Sequence, residues 1–343
     1  MKAAIHCFSG TGNTARATQI LAALLAAAGC EVALQPIANR AAPPSDIPDL
    51  TVVAFPIWAW APPHFVLAYA RRLPKAKGAR AAVFATCGGF GAQGVGEMAR
   101  VLHRRGYQVV ASGEAVYPDN WTLAQNPPTG DALAQALAKG DGWVQQFADN
   151  LLSDHPTTFP CAFGHKLWSW PIAILFRSFG RRFMGKFFAA DDRCTSCGLC
   201  AATCPVQAIR MVGTPSRPRW GANCAGCFRC INLCPAKSIQ ISVPLLALHL
   251  GLNLALAVWW FFWIGWLYRQ VVPLPGAAGF GLAVIWAAAI FMALTLFQLT
   301  AVDGLLHWLA ARPVLRRFFL LNYTKSFGRY RAPGFQPGKT DIS

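Results

Sequence analysis

Twelve cysteines are spread over 343 residues, and eight of them fall between Cys194 and Pro235. Cys194, Cys197, Cys200 and Cys204 follow the pattern C-x2-C-x2-C-x3-C-P, closed by Pro205. Nineteen residues separate Cys204 from Cys224, where Cys224, Cys227, Cys230 and Cys234 repeat the pattern and Pro235 closes it. Thiolates are the ligands that iron in a sulfide cluster prefers. Spacings of two set three sulfurs around one corner of a cubane, and the fourth ligand must come from elsewhere. Four disulfides would need an oxidising compartment, and no secretory signal precedes the segment. Zinc sites use pairs of C-x2-C rather than triplets followed by x3-C-P. No Asp replaces a Cys in either set, which favours electron transfer over substrate chemistry at iron.

The doubled run resembles the bacterial ferredoxins that carry two 4Fe-4S clusters. That resemblance implies a crossed ligand set. Cys194, Cys197, Cys200 and Cys234 would hold one cluster, and Cys224, Cys227, Cys230 and Cys204 the other. Short strands are expected after each set, at Ile209–Val212 and Ile239–Ser242, and Trp220 is expected to cover a cluster.

What surrounds this segment must position it. Lys2–Phe8 reads as a buried first strand. It runs into the polar loop Ser9-Gly10-Thr11-Gly12-Asn13-Thr14, which rules it out as a secretory signal. An alanine-rich helix, Ala15–Ala28, ends at Gly29, and Cys30–Pro36 is a second strand, completing a βαβ unit. The loop offers backbone amides, hydroxyls and a helix N-terminus to a phosphate. It has neither the Lys of a Walker motif nor G-x-G-x-x-G spacing, so a nucleoside triphosphate and NAD are both disfavoured. Strands at Thr51–Phe55 and Ala79–Ala85 run into two more loops. One holds Pro56, Ile57, Trp58, Ala59 and Trp60; the other holds Thr86, Cys87, Gly88, Gly89, Phe90 and Gly91. Both leave the carboxyl ends of strands, where open α/β sheets bind ligands. A helix at Glu97–Arg105, a fifth strand at Gln108–Glu114 and a last helix at Asp131–Leu152 complete the pattern.

These loops resemble the FMN site of flavodoxins. The resemblance implies phosphate donors at Ser9, Thr11, Asn13 and Thr14, with the ring enclosed by the loops after the third and fourth strands. Trp58 is the stacking candidate and Trp60 the second. With Pro118–Trp121 and its Asn120 after the fifth strand, residues 1–240 resemble the flavodoxin–ferredoxin fusion proteins, a branch of iron–sulfur flavoproteins. Cys7, Cys30, Cys87 and Cys161 are expected mostly in the core, although Cys87 stands in a loop that would touch the flavin.

Charge is uneven. The net is +3 over 1–150, +8 over 151–240 and +6 over 241–343. The basic residues sit beside long apolar runs, which suits an anionic lipid surface, and no nucleic-acid module is present. His155–Pro160 reads as a linker. The aromatic stretch 167–176, followed by Arg177, Arg181, Arg182 and Lys186, suits either an interfacial helix or one packed on the cysteine domain. No Asp, Glu, Lys or Arg occurs from Ser238 to Tyr268 or from Gln270 to Val302. Leu245–Leu267 and Ala277–Val302 are each long enough for ~30 Å of hydrocarbon, with Pro273, Pro275 and Gly276 turning between them. Basic residues from Arg312 to Lys339 place both ends of this hairpin in the cytoplasm by the positive-inside rule. Leu305–Leu321 reads as an amphipathic surface segment. Among the polar groups near the spans, His249 suits a quinone, a haem or a hydrogen-bonded interfacial role.

The expected architecture is an α/β flavodoxin-like doubly wound parallel sheet (1–152) and a basic aromatic linker (153–190). After these come a small α+β bacterial ferredoxin-like domain (191–242), an α-helical transmembrane hairpin (243–303) and a basic cytoplasmic tail (304–343). Expected cofactors are FMN and two 4Fe-4S clusters. Expected partners are membrane lipid and a redox protein or quinone, with no nucleic acid. The implied protein is an inner-membrane electron-transfer flavoprotein whose soluble domains face the cytoplasm. A non-catalytic carrier subunit of a membrane reductase and a redox sensor remain open as alternatives, because no acid–base constellation stands near the flavin loops.

Overall fold

The computed structural model describes residues 1–38, 42–153, 163–270 and 276–336; Cys161, the 155–160 linker, Pro273, Pro275 and Lys339 lie outside them. Five parallel strands form the first domain: β1 (Lys2–Cys7), β2 (Glu31–Pro36), β3 (Leu50–Pro56), β4 (Arg80–Cys87) and β5 (Gln108–Val116). Their order is β2-β1-β3-β4-β5, the flavodoxin-like doubly wound order. Burial on both faces explains why these strands read as continuous apolar runs. Val53, Phe55, Val83 and Ala85 enter one core, while Val52, Ala54, Ala82 and Phe84 enter the other. That is the period of two expected of a pleated strand.

Helices α1 (Asn13–Ala27) and α4 (Gly130–Leu152) cover one face; α2 (His64–Ala70) and α3 (Gly94–Arg104) cover the other. Helix α2 follows Pro62 and Pro63 and spans seven residues. Two helical turns carry too little periodicity to be recognised by pattern, so the sequence reading passed over it. Gly29 takes φ +84° just beyond α1, the left-handed closing position expected of it. Gly106 takes φ +85° between α3 and β5, and a Cβ there would stand 1.9 Å from the Ala76 carbonyl oxygen. Gly106→Ala is therefore expected to cost ~2 kcal/mol or more, from left-handed strain plus a backbone collision. The full-length protein's thermal midpoint in detergent checks this.

Helix α5 (Phe163–Leu175) docks on the first domain, not on the cysteine domain. The Trp168 ring meets Trp60 edge-on at 4.8 Å, the Ser169 hydroxyl donates to Gln93, and Arg177 donates to Glu97 at 2.7 Å. Its other side is apolar and open, with Leu167 69% and Leu175 62% exposed. A π-turn at Phe176–Gly180 and the short α6 (Arg181–Met184) then enter the cysteine domain.

That domain pairs β6 (Phe188–Ala190) with β9 (Ile239–Ile241) and β7 (Ile209–Val212) with β8 (Arg217–Trp220), both antiparallel. Short helices α7 (Leu199–Ala202) and α8 (Arg229–Leu233) carry Cys200 and Cys230. Val206, Ala208, Cys224 and Ala225 join the α2–α3 core, so the two domains share apolar packing.

Two long helices follow, α9 (Val243–Gln270) and α10 (Gly276–Phe297). The second continues through a π-turn at Gln298–Val302 into α11 (Asp303–Ala310), and α12 (Pro313–Phe319) comes after. Val243–Trp266 and Gly279–Ala310 are long and apolar enough to cross a membrane, and only 11% and 17% of their most apolar windows are buried. A soluble core helix would be mostly covered. Here Leu254, Phe261, Phe262 and Ile285 are 66–72% exposed. The helical run passes beyond the expected boundary at residue 303. The chain after it returns to the soluble domains instead of lying apart: Val243 N donates to the Leu321 carbonyl at 2.8 Å, and Ala332 N donates to the Thr11 carbonyl at 2.8 Å.

Candidate cofactor sites

The two cysteine sets build the same backbone twice, thirty residues apart. Left-handed φ values recur at Ser196 and Gly226, at Gly198 and Phe228, and at Gln207 and Lys237. Such conformations are uncommon outside glycine and persist where surrounding structure enforces them. Those at Gln207 and Lys237 turn the next amide toward sulfur. Ala208 N donates to Cys204 Sγ at 3.2 Å, and Ser238 N donates to Cys234 Sγ at 3.4 Å, the same four-residue reach in both copies.

Two cages result. Cys194, Cys197, Cys200 and Cys234 line the first; Cys204, Cys224, Cys227 and Cys230 line the second. The fourth sulfur of each cage comes from the other motif. Cys200 also borders the second cage, so the two adjoin. Among the described residues no three His, Cys, Asp or Glu side chains converge as a single ion would need. The sulfurs thus stand around a volume rather than a point, which fits a cluster and disfavours zinc. Trp220 (2% exposed) walls the second cage. Burial pushes the Cys224 thiol up to about 11 and the Cys227 thiol up to about 12. Loading iron into this cage must therefore release protons.

The second site is the cleft at the carboxyl ends of β1, β3, β4 and β5. It is lined by Ser9, Gly10, Thr11, Asn13, Thr14, Pro56, Ile57, Trp58, Thr86, Cys87, Gly88 and Asn120, together with Pro118 and Asp119. Thr14 and Thr86 share a hydroxyl hydrogen bond at 2.7 Å, and Asn120 Nδ2 donates to Thr11 Oγ1 at 3.1 Å. The first i→i−4 bond of α1 is Arg16 N to Gly12 O at 2.9 Å. The amides before it point from the helix N-terminus, as an anion requires. Trp58 packs edge-on to Phe8 at 5.8 Å and borders the cleft. Burial, then the Glu114 charge, pushes the Cys87 thiol up to about 12, so it faces the cleft as a neutral thiol.

Six of the expected residues are placed elsewhere. Ala59 and the exposed Gly89 lie off the cleft wall, while Phe90 turns toward α5 and Gly91 toward Glu114. The Phe90 ring lies 5.8 Å from Trp168, and Gly91 N donates to Glu114 at 3.1 Å. Gly12, at φ +109°, faces the C-terminal chain, where a Cβ would stand 2.7 Å from the Cβ atoms of Ala332 and Phe335. Trp60 is occupied by α5.

Residues far away in sequence complete the loop. Arg229 (2% exposed) donates to the carbonyls of Ser9 at 2.7 Å and Gly10 at 3.1 Å, and its guanidinium lies 5.5 Å from the Phe335 ring centre. The Tyr330 hydroxyl donates to Asn13. Nothing local marks these residues, because their partners are more than 200 positions away. His249 is fully buried between Phe183 and Phe187, and Gln298 Nε2 donates to its carbonyl at 3.1 Å.

Residues 186–236 match the family described as the 4Fe-4S dicluster domain. A ferredoxin from Pyrobaculum islandicum is 43% identical over 51 residues, which cover 15% of this chain and 47% of that protein; the chain thus spans about half the length of this curated relative. Among solved structures, a flavodoxin variant from Pseudomonas aeruginosa is similar over 44% of this chain and 99% of its own, at 19% identity and a TM-score of 0.32. A reduced flavodoxin from Megasphaera elsdenii covers 42% and 98%, at 17% identity and a TM-score of 0.29. The chain therefore carries a 4Fe-4S ferredoxin domain behind an α/β domain of flavodoxin-like strand order.

Proposed function

We propose that the chain is a membrane-anchored iron–sulfur flavoprotein that passes electrons between FMN and two 4Fe-4S clusters, and on to a membrane partner. Arg229 carries this reading. It follows Phe228 and precedes Cys230 of the second cage, and it grips the Ser9 and Gly10 carbonyls, so one side chain ties the cage to the phosphate loop. When bound, a flavin and cubanes convert two-electron donation into single-electron steps, or the reverse. The chain's own residues set the geometry. Ser9, Thr11, Asn13, Thr14 and the α1 N-terminus would take the phosphate. Ile57, Trp58, Thr86 to Gly88 and Asn120 would shape the ring site. The eight thiolates would hold iron, with the amides of Ala208 and Ser238 aimed at two of their sulfurs.

Denaturing the purified protein is expected to release one FMN per chain. Thr11→Trp should abolish that release by filling the cradle. Release of FAD, or of no flavin from the native chain, would overturn the flavin assignment.

The apolar helices would form a hairpin through the bilayer, with both soluble domains and the C-terminus in the cytoplasm. Their exposed apolar surface and the basic residues from Arg312 to Arg331 support this orientation. The open face of α5 would lie against the same membrane surface, whereas Arg181 and Lys186 are buried inside the protein and would not reach it. A Cys placed at Gly276 should react with an impermeant thiol reagent from outside intact cells, and one placed at Ser343 should not. The opposite pattern would reverse the topology, and release of the protein by a carbonate wash would remove the hairpin.

A further inference from the structure

A cleft of about 530 Å³ separates the ferredoxin domain from the chain that follows the second apolar helix. Phe188, Pro218 and Arg219 form one wall; Leu245, Gly304, His307 and Trp308 form the other. Two of these residues reach the cages. Phe188 also lines the cage of Cys204 and Cys230, and Pro218 lines the cage of Cys194 and Cys234. One side chain thus separates the cleft from each cluster site.

Behind His307 lies a buried polar group with unsatisfied atoms. His307 Nε2 faces Asp303 Oδ1 at 3.5 Å, His249 Nε2 faces the same oxygen at 3.7 Å, and Lys186 Nζ donates to Asp303 Oδ2 at 2.7 Å. Asp303 and Lys186 side chains are each 4% exposed. The facing atoms of both histidines and Asp303 Oδ1 are buried without a hydrogen bond. Buried polar atoms in that state need an explanation, and a proton-transfer role is one. The cleft lies where α9 begins and α11 ends the second apolar run, so a lipid-soluble molecule would meet it at the membrane surface.

We propose that this cleft binds a quinone and that His307, backed by Asp303, protonates it. This rests on the electron-transfer reading above and names its acceptor. The quinone ring gains two electrons through the Phe188 and Pro218 walls, supplied by the reduced iron–sulfur centres. Each carbonyl oxygen gains one proton. Both come from water at the mouth through the His307 ring, which hands a proton to the quinone as it takes the next. The products are a quinol and oxidised centres. The shape of the cleft suits a quinone better than an anionic lipid headgroup, since its arginines are engaged. Arg217 and Arg316 meet Asp192 at 3.3 and 2.6 Å, and Arg219 lies 4.0 Å from Asp303. A headgroup would also have no use for the histidine–carboxylate pair.

The test uses the full chain, loaded with iron, in nanodiscs of neutral lipid. An azido-benzoquinone with a ten-carbon tail is photolysed and its attachment sites are mapped. The expected labels fall in 211–219 and 304–320 and are removed by unlabelled decyl-benzoquinone. Gly304→Phe, which fills the cleft, should lose the label while iron content and the reduced-cluster EPR spectrum stay unchanged. His307→Gln should keep the label and slow reoxidation of dithionite-reduced protein by decyl-benzoquinone by about a hundredfold, the scale of a lost general acid. Labels elsewhere, or labels displaced by phosphatidylglycerol and not by quinone, would overturn the site. So would unchanged reoxidation in His307→Gln. Native protein without cluster EPR would instead sink the electron-transfer reading itself.

Discussion

Cys227→Ala is expected to lower the iron of anaerobically reconstituted protein from about eight atoms per chain to about four. Cys227 lines only the second cage, together with Cys204, Cys224 and Cys230. Its loss leaves three thiolates there and leaves Cys194, Cys197, Cys200 and Cys234 around the first cage. The crossing makes a sharper expectation. Cys234→Ala removes a residue of the second motif but should damage the first cage, and Cys204→Ala should do the converse. EPR of the singly reduced variants reads which centre survives. If Cys234→Ala and Cys227→Ala delete the same centre, each motif holds its own cluster and the crossed set is wrong. Stoichiometric zinc in native protein would remove both clusters from consideration.

Gly12→Val is expected to abolish flavin retention and to release the C-terminal chain from the phosphate loop. Left-handed backbone costs a β-branched residue ~1–2 kcal/mol before any contact is counted. The new Cβ would also stand 2.7 Å from the Ala332 and Phe335 side chains, so the tail or the loop must move. A loss of only ~1.4 kcal/mol is already tenfold in affinity. Gly89→Ala is the contrast: it meets no atom within 4 Å and lies off the cleft, so flavin content should hold. Flavin stoichiometry and limited proteolysis between Leu321 and Phe335 measure both effects. Tight flavin in Gly12→Val with an unchanged digestion pattern would show that the tail does not brace the loop.

The tail's position and the shared core bear on how the domains communicate. Leu233 sits in one apolar cluster with Ala15, Tyr330, Ala332 and Phe335. Asn232, two residues from Cys234, donates to the Asn120 carbonyl at 2.9 Å, and Tyr330 N donates to the Asn232 side chain at 2.8 Å. The cluster helix α8, the loop after β5 and the C-terminal chain therefore form a single packed joint around the phosphate loop.

What the amino-acid sequence determined alone was whatever depends on neighbours along the chain. Thiols at spacings of two and three specify a ligand loop wherever the loop is placed. Apolar runs broken by Gly-rich turns specify strands and helices, because burial on two faces demands continuous apolar runs. Uncharged stretches of spanning length specify helices that a small soluble core would leave largely uncovered, and 2 such helices are present among the described residues. Tertiary structure decided what depends on distant pairing. Arg229 reads locally as one cation between two cysteines, and only the fold carries it to Ser9. Phe90 and Gly91 read as part of a ligand loop, but α5 and Glu114 offered closer partners and drew them off the cleft. His249, Asp303 and His307 read as isolated polar residues at the ends of apolar helices. Asp303 and His307 are an i,i+4 pair on one helix, but His249 and Lys186 reach that carboxylate only by chain closure across more than fifty residues, which no local pattern encodes.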